Sequence, residues 1–282
     1  MQKTKTNTLV WLTESAIMIA LATVLSLITL VDLPYGGSVT PGSMLPMILI
    51  AYRYGIGRGC ITGLANGVIQ LFLGMGKLQY ATSWIAAIVI ILLDYIIAFG
   101  VTGFSAMFKC VFKESQSAAL ITGGFVVCVL RYICHVISGC TVWAGVSIPS
   151  SDGLLYSIIY NATYMLPETI IVVALLWYVS RVVNFNGELP RPAVKTGKAG
   201  KARTILSAIA MLCLLGAIIY DTVAIFGVLQ NPETGEFNFA AITTANWPVI
   251  GIVTGCAVVI AAVLLIISTV SANRSNANSS KI

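Results

Sequence analysis

The sequence contains few charged residues and a single histidine. Of its 282 residues only 9% are charged, while 58% are hydrophobic. A soluble domain of ordinary composition carries about 25% charged residues, so this composition excludes a water-soluble globular domain. One histidine, His135, cannot build the multi-histidine zinc site of many hydrolases. The seven cysteines show no C-x-x-C spacing, so we interpret them as small apolar residues and expect no metal site.

Three further absences narrow the class of protein. Alternation of apolar and polar residues with a period of two is missing, which argues against a transmembrane β-barrel. No G-x-x-x-x-G-K-[ST] motif occurs, so the chain cannot bind ATP through a P-loop. The net charge is +6, but no basic stretch is interleaved with aromatic residues, so we expect no nucleic-acid partner.

Long apolar runs occupy most of the chain. A membrane-spanning helix needs about 20 apolar residues, and the runs predict an all-α, polytopic membrane protein with eight helices. The first run continues beyond the cleavage-like triplet at residues 20–22, so we expect an uncleaved first span rather than a signal peptide. The predicted spans, of which the second and third are the shortest, are residues 12–32, 41–54, 59–75, 82–107, 116–138, 157–180, 205–229 and 247–271.

Basic residues orient the predicted bundle. If the amino terminus lies inside and the helices alternate, fourteen of the sixteen Lys and Arg residues fall on the cytoplasmic side. Lys77 alone lies outside, and Arg131 lies within a helix. This positive-inside pattern predicts a multi-pass protein of the cell membrane with both termini in the cytoplasm.

The composition changes once along the chain. Residues 184–204 are polar, basic and rich in Gly and Pro, which is typical of a linker. They separate a predicted six-helix core, residues 1–183, from a two-helix appendage of unknown role, residues 205–282. In the appendage, Asp221 could pair with the core or line a polar contact between the last two helices. We find no repeat between the halves, which argues against an inverted-repeat transporter.

Glycines recur at intervals of four along the third predicted helix. Gly55, Gly59, Gly63 and Gly67 would form a flat strip where another helix backbone can approach closely. We expect internal packing at this strip.

Ionisable residues inside the predicted helices are few, and such residues usually pair with one another or mark a functional site. Arg131 and His135 are four residues apart and share a helix face. At 1.5 Å of rise per residue, Arg131 and Glu168 lie at similar depths. We therefore expect a structural ion pair between them that forms the floor of a cavity, because either charge alone would be costly to bury.

Polar and aromatic residues converge above this predicted floor. A carboxylate among aromatic rings suits a compact organic cation, because the rings attract positive charge and the carboxylate orients the ligand. An aromatic belt at the membrane interface would explain Trp84 and Tyr160 equally well, but not Asp94, His135 or Asn161. The candidate binding residues are Tyr35, Trp84, Asp94, Tyr95, His135, Trp143, Tyr156, Tyr160, Asn161 and Tyr164.

Three segments resemble a known family. LDYIIAFG, RYICHVISGCTVWAG and YSIIYNATYMLPE are similar, in order and spacing, to motifs of the thiamine-specific substrate-binding S components of energy-coupling-factor transporters, the ThiT family. The resemblance covers residues 1–183 and implies six helices with both ends in the cytoplasm, thiamine as ligand, no cofactor and no catalysis. The two C-terminal helices are additional to this form.

The resemblance also implies roles for individual residues. Asp94 would take the place of the family's pyrimidine-binding carboxylate, where glutamate also occurs, with Tyr95 beside it. The family's other ligand contacts match His135, Trp143, Tyr156 and Asn161. Tyr35 stands in the first outer loop, where the family has a tryptophan and this sequence has none.

The first predicted helix carries a further match, Ala16-x-x-x-Ala20 in TESAIMIALA. Small residues four apart let helices touch, and in the family this motif docks the S component onto the coupling transmembrane subunit. The resemblance therefore implies that subunit and two ATPase subunits as partners, in a prokaryotic cell.

Three alternatives remain at this point. The ligand could be a thiamine precursor or another vitamin, because a pocket can keep its cation cage and change what it reads at the edges. A cation-coupled secondary transporter of similar shape would take up its substrate without an ATPase. An intramembrane hydrolase that uses His135 with a carboxylate or Cys134 would need a nucleophile or metal set that the sequence does not offer.

Overall fold

The computed structural model describes residues 8–33, 36–81, 83–143, 151–187, 189–193, 198–229 and 238–279. These residues form eight helices: α1 (Thr8–Leu27), α2 (Leu45–Tyr54), α3 (Ile56–Leu73), α4 (Trp84–Val111), α5 (Gln116–Trp143), α6 (Ser151–Val182), α7 (Lys198–Leu229) and α8 (Trp247–Ser279). Two antiparallel hairpins of two-residue strands pair β1 (Val31–Asp32) with β2 (Ser38–Val39) and β3 (Val183–Asn184) with β4 (Arg191–Pro192). Short 3-10 helices cover Met75–Tyr80 and Phe239–Thr244.

Seven of the helices in the described residues are long and apolar enough to cross a membrane. This confirms the predicted all-α, multi-pass membrane protein. The exception is α2, where a short span was expected over residues 41–54. It has 10 residues, which at 1.5 Å per residue reach about half of the roughly 30 Å apolar thickness of a bilayer. Residues 46–52 are nevertheless buried, with Ile48 and Ile50 fully enclosed, so α2 is a core element of the bundle.

The chain forms two compact units, Met1–Trp177 and Tyr178–Ile282. We call them unit 1 and unit 2. The predicted linker at residues 184–204 lies in unit 2, and its role as a domain boundary stays a prediction. Within unit 2, the Thr254 hydroxyl of α8 donates a hydrogen bond to Asp221 of α7. Asp221 therefore makes a polar contact between the last two helices, one of the two arrangements that the sequence left open.

The glycine strip of α3 packs against α4, as expected. A Cβ on Gly67 would lie 2.5 Å from the carbonyl oxygen of Tyr95 and 3.0 Å from the Cβ of Phe99. Gly55 differs from the other members, because it has a φ of 87° and lies between the end of α2 and the start of α3. Its positive φ lets the chain turn between two helices that follow each other directly.

Helix α4 is irregular. After an α-helical start at Trp84–Val89, residues Ile90–Ile97 form a π-helix, and Val101–Ala106 are 3-10 helical. A π-helical turn holds an extra residue and changes the direction of the side chains that follow, and such turns are frequent at functional sites. The π-helix contains Asp94 and Tyr95.

Candidate functional site

Unit 1 encloses a cavity of about 350 Å³, within the size range of small-ligand sites. Its lining comes from α1, the β1–β2 hairpin, the segment before α2, and helices α3 to α6. Predicted residues in this lining are Asp94, Tyr95, Arg131, His135, Tyr160, Asn161, Tyr164 and Glu168.

Asp94 is held at both carboxylate oxygens by side chains of α5. His135 Nδ1 lies 2.8 Å from Oδ1, and the Ser138 hydroxyl donates to Oδ2 at 2.8 Å. Sequence reasoning missed Ser138, although its position three residues after His135 places it on the same helix face.

Asn161 joins α6 to α5. Its amide nitrogen donates to the carbonyls of Ser157 at 2.8 Å and His135 at 3.3 Å, and its oxygen accepts from the Tyr164 hydroxyl at 2.5 Å. Asn161 therefore lines the cavity with its hydrogen bonds directed to protein groups. These bonds fix the position of the His135 backbone.

Some of the predicted aromatic residues line the cavity, and others do not. Tyr95 lines the cavity, and its hydroxyl donates to the carbonyl of Gly74 at 3.2 Å. Tyr160 lines it too and accepts from the Gly37 amide at 3.0 Å. Tyr156 stacks on Tyr160 with 6.2 Å between ring centroids but is not in the lining. Trp84 is 73% exposed at the start of α4 and is not in the lining, as expected of a membrane-interface residue, and its contact with a ligand stays a prediction.

The side chains of two predicted contact residues lie outside the described part of the chain. Tyr35 is one of them. For Trp143 the structure describes only the backbone, as the last residue of α5 rather than part of the following loop. The contacts of both side chains with a ligand stay predictions.

The predicted ion pair between Arg131 and Glu168 is not formed. Both residues are buried in the cavity wall, with 7% and 5% of their surface exposed. Among the described residues, an ion pair joins Arg53 to Glu14 and the His135 imidazole lies 2.8 Å from Asp94, but no contact within 4 Å joins Arg131 to Glu168. Glu168 instead accepts from the Thr40 hydroxyl at 2.6 Å and the Ser43 hydroxyl at 3.3 Å.

Arg131 lacks a carboxylate partner in this arrangement. Its guanidinium carbon lies 4.6 Å from the centre of the Phe99 ring, and Nε and Nη1 have no hydrogen-bond partner among the described residues. Arg131 and Glu168 therefore do not pair, although the sequence places them at similar depths. The hydroxyl groups of Thr40 and Ser43 are the partners of Glu168 instead.

The charges in the lining favour a cationic ligand. Three carboxylates, Asp32, Asp94 and Glu168, face two cationic side chains, Lys77 and Arg131. Among the described lining residues the carboxylates therefore outnumber the Lys and Arg side chains, an excess that a positively charged ligand would balance. Among the described residues no group of three or more His, Cys, Asp or Glu side chains could hold a metal ion.

Comparison with known proteins finds a family model, a curated relative and a solved structure that are similar to this chain. Residues 12–184 match the sequence model of the family described as thiamine transporter protein, Thia_YuaJ. Thiamine transporter ThiT of Bacillus subtilis (strain 168) is 34% identical over 178 residues, which cover 60% of this chain and 88% of the relative. A solved structure of ThiT from Listeria monocytogenes has 27% identity and a TM-score of 0.48, over 61% of this chain and 93% of that chain.

Proposed function

The chain belongs to the thiamine transporter protein family, and we propose that it binds thiamine in the cavity of unit 1. It would do so as the S component of an energy-coupling-factor importer, open to the outside of a prokaryotic cell membrane. The relatives are named as transporters, and binding rather than catalysis is the role that we assign to the site.

The observation that carries the proposal is the fixed carboxylate of Asp94. A ligand with one positive charge and a hydrogen-bonding ring needs a negative group of defined orientation, and both oxygens of Asp94 are oriented by α5. The imidazole of His135 lies beside it. Tyr95, Tyr160 and Tyr164 supply the aromatic surfaces that favour a cation.

A thiamine titration tests this proposal directly. Purified protein in detergent is titrated while tryptophan fluorescence is followed, with Asp94→Asn and Asp32→Asn in parallel. We expect saturable binding by the wild type and a loss of at least about tenfold in affinity for Asp94→Asn, because a hydrogen bond to a charged group contributes about 1.5–3 kcal/mol.

The control is matched, since Asp32 also lines the cavity and the same change removes its charge. A smaller effect at Asp32 would assign the role to Asp94 itself. Folded wild-type protein that does not respond to thiamine would refute the proposed ligand, and thiamine precursors and other cationic vitamins would be titrated next.

Coupling to ATPases is the second part of the proposal. Ala16 and Ala20 lie exposed on α1, as a docking face for the coupling transmembrane subunit requires. We expect Ala16→Leu with Ala20→Leu to abolish thiamine uptake in cells while binding by the purified protein persists, because bulky residues keep the partner helix away.

Val24→Leu is the matched control, because Val24 is 55% exposed on the same helix and lies outside the alanine pair. Uptake that continues in cells without the ATPase subunits would contradict coupling and favour the cation-coupled transporter.

A further inference from the structure

Lys77 makes an unusual contact at the edge of the cavity. It belongs to the 3-10 helix Met75–Tyr80 between α3 and α4, and it is the one basic residue that the sequence analysis places on the outer side of the membrane. Its side chain lines the cavity, and its ammonium donates a hydrogen bond to the carbonyl of Gly36. In the part of the chain that the structure describes, no carboxylate lies within 4 Å of this ammonium.

Gly36 and Gly37 connect β1 to β2 and are held from two sides. Gly36 has a φ of 90°, and a Cβ on it would lie 2.6 Å from Cδ of Lys77. The amide of the next residue, Gly37, donates to the Tyr160 hydroxyl of α6 at 3.0 Å. The hairpin is therefore tied across the cavity by the α3–α4 connection on one side and by α6 on the other.

Burying the charged amine of Lys77 is unfavourable, and a residue whose role was only to fill this position would not need a charge. Burial lowers the pKa of the Lys77 amine, although the charges of Asp94, Asp32 and Glu168 favour its protonated form and that of Arg131 opposes it. A methionine would keep the packing of the methylene groups and avoid burying a charge. What lysine adds is the bond to Gly36.

We propose that Lys77 is a positioning residue that ties Gly36 across the cavity and sets the rate of ligand exchange. The proposal rests on the proposed function for the identity of the ligand. The bond between Lys77 and Gly36 does not depend on that function. The bond joins two groups of this chain, so its effect on the hairpin can be measured in protein to which no ligand is added.

Hydrogen exchange in ligand-free protein tests the tie first. Lys77→Met is compared with Lys109→Met, because the Lys109 ammonium also donates to a backbone carbonyl, that of Tyr52, at 3.2 Å and away from the cavity. We expect the amides of Gly36 and Gly37 to exchange about tenfold faster in Lys77→Met only, as loss of a hydrogen bond from a charged group predicts.

Two readouts separate this role from a general structural one. We expect Lys77→Met to keep the melting temperature of the wild type, since it removes a buried charge. We expect Lys77→Arg to restore slow exchange at Gly36, because it restores a cationic donor. Unchanged exchange at Gly36 and Gly37, or a loss of protection spread over the whole of unit 1, would overturn the proposal.

Thiamine release provides the functional readout. In stopped-flow dilution we expect Lys77→Met to release thiamine about tenfold faster and also to bind it faster, so that the dissociation constant changes less than either rate. Wild-type release rates in a variant with a loosened hairpin would refute control of exchange by Lys77. If the wild type binds no thiamine, the proposed function fails, while amide exchange still decides whether Lys77 ties the hairpin.

Discussion

At the scale of single residues, the buried charges of unit 1 differ in how they are neutralised. Arg53 makes two hydrogen bonds to Glu14, at 2.9 and 2.8 Å. Arg131 is also buried but lies on the Phe99 ring, with no carboxylate partner among the described residues. Removing one member of a buried ion pair is costly, because the other charge is left buried without a partner. Replacing a buried charge that has no partner with an apolar residue leaves no such charge behind and removes a desolvation cost.

The same substitution at both arginines tests this difference. We expect Arg131→Met to change the free energy of unfolding by no more than about 1 kcal/mol, because the contact that it removes among the described residues is the cation–π contact with Phe99. Arg53→Met leaves Glu14 without its partner and should cost about 3 kcal/mol. Thermal unfolding in detergent ranks the two variants, and strong destabilisation by Arg131→Met alone would show that Arg131 has a charged partner after all.

At the scale of elements, two features of α3 and α4 position the cavity wall. The glycines of α3 let the backbones approach closely, and the π-helix of α4 contains Asp94 and Tyr95. The close approach occurs at the π-helix itself, since Gly67 faces the carbonyl of Tyr95. A change at this contact should therefore affect both stability and the position of Asp94.

Gly67→Ala and Gly57→Ala form a matched pair on α3. A Cβ on Gly67 meets the Tyr95 carbonyl, while one on Gly57 meets nothing within 4 Å. We expect Gly67→Ala to destabilise the protein by about 1–3 kcal/mol through overpacking and to weaken thiamine binding. Gly57→Ala should be neutral or stabilising, by up to about 1 kcal/mol, because alanine has the higher helix propensity. Melting curves and titrations of both variants check this, and equal effects would contradict a specific contact at Gly67.

At the scale of the whole molecule, the cavity belongs to one of the two units. In the part of the chain that the structure describes, every lining residue falls between Ser26 and Glu168, and the family match ends at residue 184. Unit 2 contributes its own contact between α7 and α8, through Asp221 and Thr254. Ligand binding should therefore depend on unit 1.

A shortened chain of residues 1–183 tests this expectation. It keeps α1 to α6 in full, and we expect it to bind thiamine with an affinity within about threefold of the full chain, a change of less than 1 kcal/mol. Fluorescence titration of both forms in the same detergent makes the comparison. A folded 1–183 protein with much weaker binding would show that residues 184–282 take part in forming the site.

Much of the site could be predicted because its strongest signals are local. Ionisable residues within long apolar runs can be recognised without knowing how the helices pack. The cavity is lined by four of them, Asp94, Arg131, His135 and Glu168. Ser138 carried a weaker signal, as one of several hydroxyl residues in apolar helices. Thr40, Ser43 and Lys77 were not predicted at the site, because in the structure they lie in connections between helices whose path the hydrophobic pattern does not describe.

The sequence by itself determined the membrane class, the number of helices to within one span, the inward-facing glycines of α3 and the core of the candidate site. These follow from residue composition and helical periodicity, which act along one segment at a time. Only the tertiary structure decided that Glu168 bonds Thr40 and Ser43 rather than Arg131, that Trp84 faces outward and that Lys77 reaches Gly36. The physical reason is that such contacts depend on the depth, rotation and distance of elements far apart in the chain, and the π-helix of α4 changes that rotation where Asp94 and Tyr95 lie.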